Sequence, residues 1–365
     1  LNEVNGVLHI IAESGLVILG FIIAWRPEFF VHQWKTEFPN LNQFMYASSL
    51  AIISFVGLES ISQAAQETRR PATIIPRTTI TLIFSVFIFA MAFSTLGLGL
   101  LPWQEFALHE GDPVAKLASV IPFVGLIAGP FAAILGMTIL FISANSGVMS
   151  ASRLSYSMSQ FDMITDWFNK VHPKYRTPVR TIVVFSCIAI LQVILSFLTP
   201  RAMDTLGNLY AFGATLGYLL VFVSLIKLRF SDPYTPRPYK IPLNIKIKKR
   251  IELPLFGIVG MLGVGSILFM VVLTHSVGRI AGPAWVLVCF MYYAFYRRSR
   301  KLPVLGSIKR DWEEDQKKVL ESAEEYDLLE QYKIALKERD EEIEKLKNGK
   351  PLFGKEGSGE IQGRD

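Results

Sequence analysis

The sequence predicts an all-α membrane protein with eight transmembrane helices, and three observations support this fold class. Apolar residues make up 51% of the 365-residue chain, and the mean hydropathy is +0.37. These residues form long runs between charged, proline-containing connections, and each run is about long enough to cross the roughly 30 Å hydrocarbon core of a bilayer. The runs are uniformly apolar and lack the alternating pattern of a membrane β-barrel, so continuous helices are expected.

The eight predicted spans differ in length. We place them at 7–25, 41–65, 78–101, 118–150, 181–199, 206–228, 254–274 and 282–297. The fourth run is longer than a membrane requires, so it should tilt or extend beyond the bilayer. It contains several residues at which a helix could bend, namely Gly125, Gly129, Pro130 and Gly136.

The basic residues predict the orientation of these helices. With both termini in the cytoplasm, the connections on that side hold sixteen lysines and arginines, whereas those on the opposite side hold five. Cytoplasmic loops carry such an excess of positive charge, and the same residues would face anionic lipid. We therefore expect an integral protein of the plasma membrane. Topology accounts for the net charge of +6, and a nucleic acid partner is not predicted.

One acidic residue, Glu59, lies inside the second apolar run, two positions after Gly57. An ionisable side chain in the bilayer centre costs about 2.5 to 3.5 kcal/mol on the most lenient scales, so it is retained mostly where it faces a polar path or a ligand. The glycine marks a position where the helix could open. These two residues indicate a functional site, although a neutral glutamate satisfied between helices would give the same pattern.

Several short motifs follow one another along the chain. They are Phe55-x-Gly57-x-Glu59, Glu67 with Pro71 and Pro76, Arg153-x-x-Tyr156, His172 with Thr177-Pro178, and Arg237-Pro238-Tyr239-Lys240 with Pro242. In this order and spacing they resemble the amino acid-polyamine-organocation (APC) superfamily of permeases over residues 1–298. The resemblance implies that the eight spans correspond to helices five to twelve of a LeuT-type inverted-repeat transporter. It also implies that the first four helices are absent from this sequence.

The function implied by the resemblance is secondary active transport of amino acids by alternating access. Transport would be coupled to H⁺ or Na⁺, or would run as an exchange. Substrates of such transporters bind near the midplane, where discontinuous helices expose backbone groups. Backbone carbonyls would meet the substrate ammonium group, with an aromatic gate at Phe55 and a polar ligand at Ser54. The substrate-binding residues implied in this way are Ile53, Ser54, Phe55, Val56 and Gly57.

The resemblance also implies two candidate sites for a coupling ion. Glu59 is expected to link its protonation to the state of the broken helix. A sodium site is the second expectation, because related transporters place sodium ligands on the inner half of the fourth run, at Ser143, Asn145 and Ser146. Side chains of this kind also bond to their own helix backbone, which is the alternative.

A further pair, His9 and Glu13, lies one helical turn apart in the first run. It is either a solvated pair, at the interface or in an inner vestibule, or a proton relay. The sequence contains no P-loop, metal-ligand cluster or catalytic triad. We therefore expect no catalytic residues, no bound metal and no cofactor beyond the coupling ion, and we do not expect an enzyme.

The chain after residue 298 has a different composition, rich in glutamate and lysine. Residues 299–350 are predicted to form a cytoplasmic charged helix in which Leu329, Leu336 and Ile343 have heptad spacing. This spacing favours either self-association as a coiled coil or a solvated single helix. Residues 351–365 are predicted to be disordered. A non-transporting remnant or scaffold, whose tail binds a partner, is the alternative to a transporter.

Overall fold

The computed structural model describes residues 2–108, 113–123, 125–199, 202–248, 251–274, 276–306 and 310–347. The helices are α1 (Asn2–Ile23), α2 (Pro27–Thr36), α3 (Leu41–Ala51), α4 (Ser60–Gln63), α5 (Pro71–Leu100), α6 (Trp103–Leu108), α7 (Pro113–Ser119), α8 (Gly125–Gln160), α9 (Val179–Leu198), α10 (Ala202–Ser231), α11 (Leu255–Thr274), α12 (Ser276–Ser299), α13 (Trp312–Ser322) and α14 (Tyr326–Lys347). Strands β1 (Asn244–Lys248) and β2 (Ile251–Pro254) pair antiparallel between α10 and α11.

Seven helices of the described part are long and apolar enough to cross a membrane. They are α1, α5, α8, α9, α10, α11 and α12. Their large apolar side chains are mostly exposed, as is typical of surfaces that face lipid or other helices. The prediction of an all-α integral membrane protein is therefore confirmed. The remaining predicted span, 41–65, is not a continuous helix, because it is divided into α3, a 3-10 helix over Ile52–Phe55, and α4.

The fourth predicted run, 118–150, was wrong at both ends. Its first residues belong to α7, and α8 starts at Gly125 and continues to Gln160, through Pro130. A Cβ on Gly125 would lie 2.2 Å from the carbonyl oxygen of Ser119, so this glycine permits a close approach of two chain segments. A reversal of the chain between two apolar segments leaves no gap in hydropathy, which explains the error.

Local signals account for the start of α3. The side chain of Asn40 accepts a hydrogen bond from the N–H of Gln43 at 2.9 Å, and the Gln43 side chain accepts from the N–H of Asn40 at 3.1 Å. This reciprocal capping box satisfies amides that have no partner within the helix. Pro27 occupies the first turn of α2, where its missing N–H costs nothing.

The chain divides into two compact units. The first comprises Leu1–Ala65, Arg77–Tyr218 and Gly263–Ile308, and the second comprises Gln66–Pro76, Leu219–Leu262 and Lys309–Asp365. Inside the first unit, a small core joins α10 to α11. Its buried residues are Ala211, Phe212 and Val271.

Within the second unit, the predicted tail helix is two helices, α13 and α14, that pack together. Their buried cluster consists of Leu320, Leu328, Leu329, Tyr332 and Leu336. Two of the three heptad residues are thus buried within the unit, whereas Ile343 is 42% exposed. Arg339 of α14 binds Glu313 of α13, with 2.6 Å between Nη1 and Oε1. The predicted disordered segment, 351–365, lies outside the described residues.

Candidate functional site

The apolar segment around Gly57 is broken, as its sequence predicts. The chain leaves α3 through the 3-10 helix Ile52–Phe55 and re-enters a helix at Ser60. Between them Gly57 has a φ of +106°, a conformation that residues with a Cβ rarely adopt. A Cβ at this position would meet no atom within 4 Å, so the requirement for glycine is conformational rather than a matter of space.

The side chain of Glu59 folds back onto this break. Its Oε2 accepts a hydrogen bond from the N–H of Gly57 at 2.8 Å. The hydroxyl of Ser60 donates to the Gly57 carbonyl at 2.6 Å, and the hydroxyl of Ser62 donates to the Glu59 carbonyl at 2.7 Å. The Glu59 side chain thus satisfies an amide of the break, whereas the two carbonyls also accept from the backbone N–H groups of Ser60 and Gln63, both at 3.1 Å. The glutamate is a structural part of the break as well as a candidate for protonation.

A second partner of Glu59 comes from α10. The hydroxyl of Tyr218 donates to the same Oε2 at 2.7 Å, and Tyr210 is close enough to interact electrostatically with this carboxylate. Two donors therefore converge on one oxygen of a half-buried glutamate. Tyr218 was not predicted from the sequence. The available signal was a pair of tyrosines, eight positions apart, in a largely apolar helix.

One more polar group lies beside the break. Gln63 follows Glu59 by one helical turn, and its Oε1 is buried. No hydrogen bond to this oxygen is found among the residues that the structure describes. A buried amide oxygen without a partner is uncommon, so Gln63 belongs to the candidate site.

The other predicted substrate-binding residues occupy the last turn before the break. Ser54 is exposed, whereas Phe55 and Val56 are half-buried. The backbone of Ile53 belongs to the 3-10 helix, and its side chain is not among those that the structure describes. These residues place a hydroxyl and an aromatic ring next to Gly57 in the chain.

The predicted sodium ligands Ser143, Asn145 and Ser146 are exposed positions of α8. Ser143 and Ser146 are three residues apart and share one face of the helix, whereas Asn145 is two residues from Ser143 and points to another face. The helix therefore brings two of the three together.

His9 and Glu13 line a cavity of about 730 Å³ in the first unit, whose walls come largely from α1 and α8. His9 is only 3% exposed, and its Nε2 lies 3.1 Å from the hydroxyl of Thr138. Its Nδ1 lies 3.6 Å from Glu13 Oε1. The His9 ring is buried against α8, whereas the Glu13 side chain is 33% exposed, so a solvated pair in an inner vestibule stays a prediction. A proton relay through this pair also stays a prediction.

Comparison of the sequence with known proteins identifies its family. A model of the amino acid permease family matches residues 1–295, which is most of the chain. The chain belongs to this family. The resemblance to the APC permeases, inferred from the short motifs, is thereby confirmed.

Several curated relatives of this permease family member are transporters. The branched-chain amino acid permease BcaP of Bacillus subtilis (strain 168) is 28% identical over 244 residues, which is 66% of this chain and 50% of that protein. The methylthioribose transporter of the same strain is 23% identical over 291 residues, or 78% of this chain and 58% of that protein. The D-serine/D-alanine/glycine transporter of Escherichia coli (strain K12) is 25% identical over 263 residues, or 65% and 53%. The chain spans about half the length of these relatives.

Proposed function

We propose that this chain is part of a secondary active amino acid transporter that works by alternating access. The observation that carries the proposal is the broken segment at Gly57, with a glutamate bonded to the break, in a member of the amino acid permease family. Discontinuous helices of secondary transporters expose backbone groups to their substrates and ions. One relative is named for methylthioribose, so substrates other than amino acids belong in any test.

The substrate-binding residues of the proposal are those of the break: Ile53, Ser54, Phe55, Val56 and Gly57. Backbone carbonyls at the end of a half-helix attract a substrate ammonium group. Phe55 is half-buried and would close over the bound side chain, while the exposed Ser54 would supply a hydroxyl.

Glu59 is the proposed coupling residue. The N–H of Gly57 and the hydroxyl of Tyr218 both donate to its Oε2. An ionised carboxylate accepts several hydrogen bonds, whereas a protonated one carries a donor on one oxygen and accepts less well. Proton uptake would therefore weaken the bonds that hold the break, and loosen it. H⁺ is the coupling ion that this arrangement favours, with a Na⁺ site at Ser143, Asn145 and Ser146 as the second candidate.

The membrane arrangement is also proposed. The protein is proposed to lie in the plasma membrane, with the division between membrane part and tail near residue 298. The excess of basic residues supports a cytoplasmic position of that tail. Anionic lipid would contact the basic connections. Self-association through α14 would have to use Ile334 and Ile343, which are 52% and 42% exposed.

Transport by the full-length permease in liposomes tests the proposal. Radiolabelled amino acids and methylthioribose are offered with a proton gradient, with a sodium gradient, and in counterflow without either. Uptake or exchange of at least one amino acid is expected, and stimulation by the proton gradient would support Glu59 as the coupling residue. A correctly folded protein that moves none of these solutes would contradict the proposal and favour a scaffold whose tail binds a partner.

A further inference from the structure

A small cavity lies in the second unit, beside the C-terminal end of α10. Its volume is about 240 Å³, and its charged lining residues are Arg229, Arg237, Lys240 and Glu252. The other lining residues come from the 233–236 turn, which includes the hydroxyls of Tyr234 and Thr235. Three cationic side chains and one carboxylate therefore share a small space.

Arg229 is the unusual member of this group. It is only 6% exposed, and its Nε is fully buried. Within the described ranges, neither a hydrogen bond nor an ion pair of the Arg229 guanidinium is found. A buried charge without a partner is strongly destabilising, so such a side chain normally has a counter-ion.

The neighbouring charged groups are already engaged. Arg237 donates through Nη2 to the carbonyl oxygens of Leu228, at 3.2 Å, and Asp232, at 2.7 Å, at the end of α10. Lys240 binds Glu252 with 2.9 Å between Nζ and Oε2.

The carboxylate of Asp232 accepts from both the N–H and the hydroxyl of Thr235. These contacts engage the nearby acids and the helix carbonyls in hydrogen bonds, so Arg229 interacts with Glu252 only electrostatically and its buried Nε keeps an unused donor. Burial, and next the positive charge of Arg229, hold the pKa of Arg237 below its ordinary value.

We propose that this cavity binds a phosphate group, with Arg229 as its principal ligand and with Arg237 and Lys240 as supporting charges. The planar guanidinium fork binds phosphate oxygens in pairs, and it does so best where water is excluded. The three cationic groups outnumber the two nearby carboxylates, those of Asp232 and Glu252, so a net positive charge remains for an anion.

The phosphate has two sources, a phospholipid headgroup and free phosphate. The adjacent hairpin is consistent with the first source. Leu243, Ile245 and Ile247 alternate along the chain, and each is about half or more exposed, at 62%, 50% and 49%. Ile245 and Ile247 belong to β1, whereas Leu243 precedes the strand with a φ of +60°, and the pairing shifts register between Lys246 and Lys248. The hairpin thus carries exposed apolar side chains near the cavity rather than one regular apolar face.

Thermal unfolding of the purified full-length protein in detergent tests the site. Inorganic phosphate is compared with chloride at equal ionic strength, and dioleoylphosphatidylglycerol is compared with dioleoylphosphatidylcholine. Arg229→Gln is the test variant. Lys227→Gln is the matched control, because it removes the same charge from an exposed position of the same helix.

Phosphate, phosphatidylglycerol or both are expected to raise the unfolding temperature of the wild-type protein and of Lys227→Gln in a concentration-dependent manner. In Arg229→Gln the apparent affinity should be about tenfold weaker or more, because a charge-assisted hydrogen-bond pair is lost. A response to the lipid alone identifies a headgroup site, and a response to both identifies a site open to soluble phosphate. An equal response of the two variants, or no response of the wild-type protein, overturns the proposal.

The stability of Arg229→Gln in chloride provides an internal check. Because the substitution removes an unpaired buried charge, its unfolding temperature should be no lower than that of the wild-type protein under these conditions. If Arg229→Gln cannot be purified, Arg229→Lys replaces it, since lysine keeps the charge but lacks the planar fork. Unchanged affinity in Arg229→Lys would overturn the proposal as well.

Discussion

Two glutamates, one in each unit, hold a backbone amide in this protein by different routes. In the first unit, Glu59 Oε2 accepts from the N–H of Gly57, which lies two positions before it in the chain, at 2.8 Å. In the second unit, Glu325 Oε1 accepts from the N–H of Ala72 at 3.1 Å, across a sequence separation of 253 residues. The bond is the same, but it is local in one unit and tertiary in the other. A local bond leaves a signature in the sequence, whereas a tertiary bond does not.

The two bonds also differ in what they permit. Glu325 is 4% exposed and meets the first turn of α5, where amides lack partners and the helix dipole favours a negative charge. It acts as a fixed cap. Glu59 is half-buried and divides one oxygen between Gly57 and Tyr218, inside a segment that could otherwise be helical. We propose that the bond of Glu59 can switch, whereas the bond of Glu325 stabilises the fold.

The largest expected effect is that of Glu59→Gln on transport. The amide keeps the size of the side chain but cannot change its protonation state, so uptake should fall about tenfold or more and lose its dependence on pH. Uptake into liposomes across a pH series measures both changes. Glu28→Gln, an identical change at an exposed position of α2, should leave the profile intact. Full pH dependence in Glu59→Gln would show that this glutamate is only structural.

The fixed cap should respond in the opposite manner. Glu325→Ala leaves the N–H of Ala72 without an acceptor and is expected to cost about 1.5 to 3 kcal/mol in the opening of α13 and α14, with little effect on uptake. Hydrogen exchange of the tail amides measures this opening. Glu330→Ala, at an exposed position of α14, is the control and should change the exchange little. Equal exchange in the two variants would mean that the buried leucines, and not Glu325, hold the tail.

The sequence was sufficient to predict what depends on local composition and local chemistry. Hydropathy identified the apolar helices, and the glycine two positions before Glu59 identified the break. It was not sufficient for contacts made at a distance. The bond from Tyr218 to Glu59 and the cap provided by Glu325 each depend on how separate helices pack, and no motif in one segment specifies its partner in another.

The same limit explains the errors in the helix boundaries and in the tail. A glycine within an apolar run predicts a bend, and Gly125 was interpreted in this way. In the structure it permits α7 to approach α8 closely. Leu329 and Leu336 have the spacing of a coiled coil. In the structure they pack against α13 of the same chain. A hydrophobic pattern predicts that a helix face is buried, but it does not identify the segment that packs against that face.

The requirement for glycine at the break predicts a smaller effect than the loss of the cap. Gly57→Ala forces a Cβ into a left-handed conformation and should destabilise the protein by about 1 to 2 kcal/mol, measured by thermal unfolding in detergent. Gly15→Ala is the matched control, because its Cβ also meets no atom within 4 Å but the residue is inside α1. That substitution should be neutral or stabilise by about 0.5 to 1 kcal/mol. Equal effects at the two glycines would mean that the break is not strained.

The smallest expected effect is the difference in stability and uptake between phenylalanine substitutions at the two tyrosines near Glu59. Tyr218→Phe removes one of the two donors to Oε2 and should destabilise the protein by about 1 kcal/mol, with a matching loss of uptake rate. Tyr210→Phe is the control: it removes a hydroxyl from the same helix for which no hydrogen bond is found in the described part of the chain. Thermal unfolding and uptake of both variants decide the matter. If Tyr210→Phe were the more damaging of the two, α10 would approach the break in a different rotation, and Tyr218 would lose its assignment as a partner of Glu59.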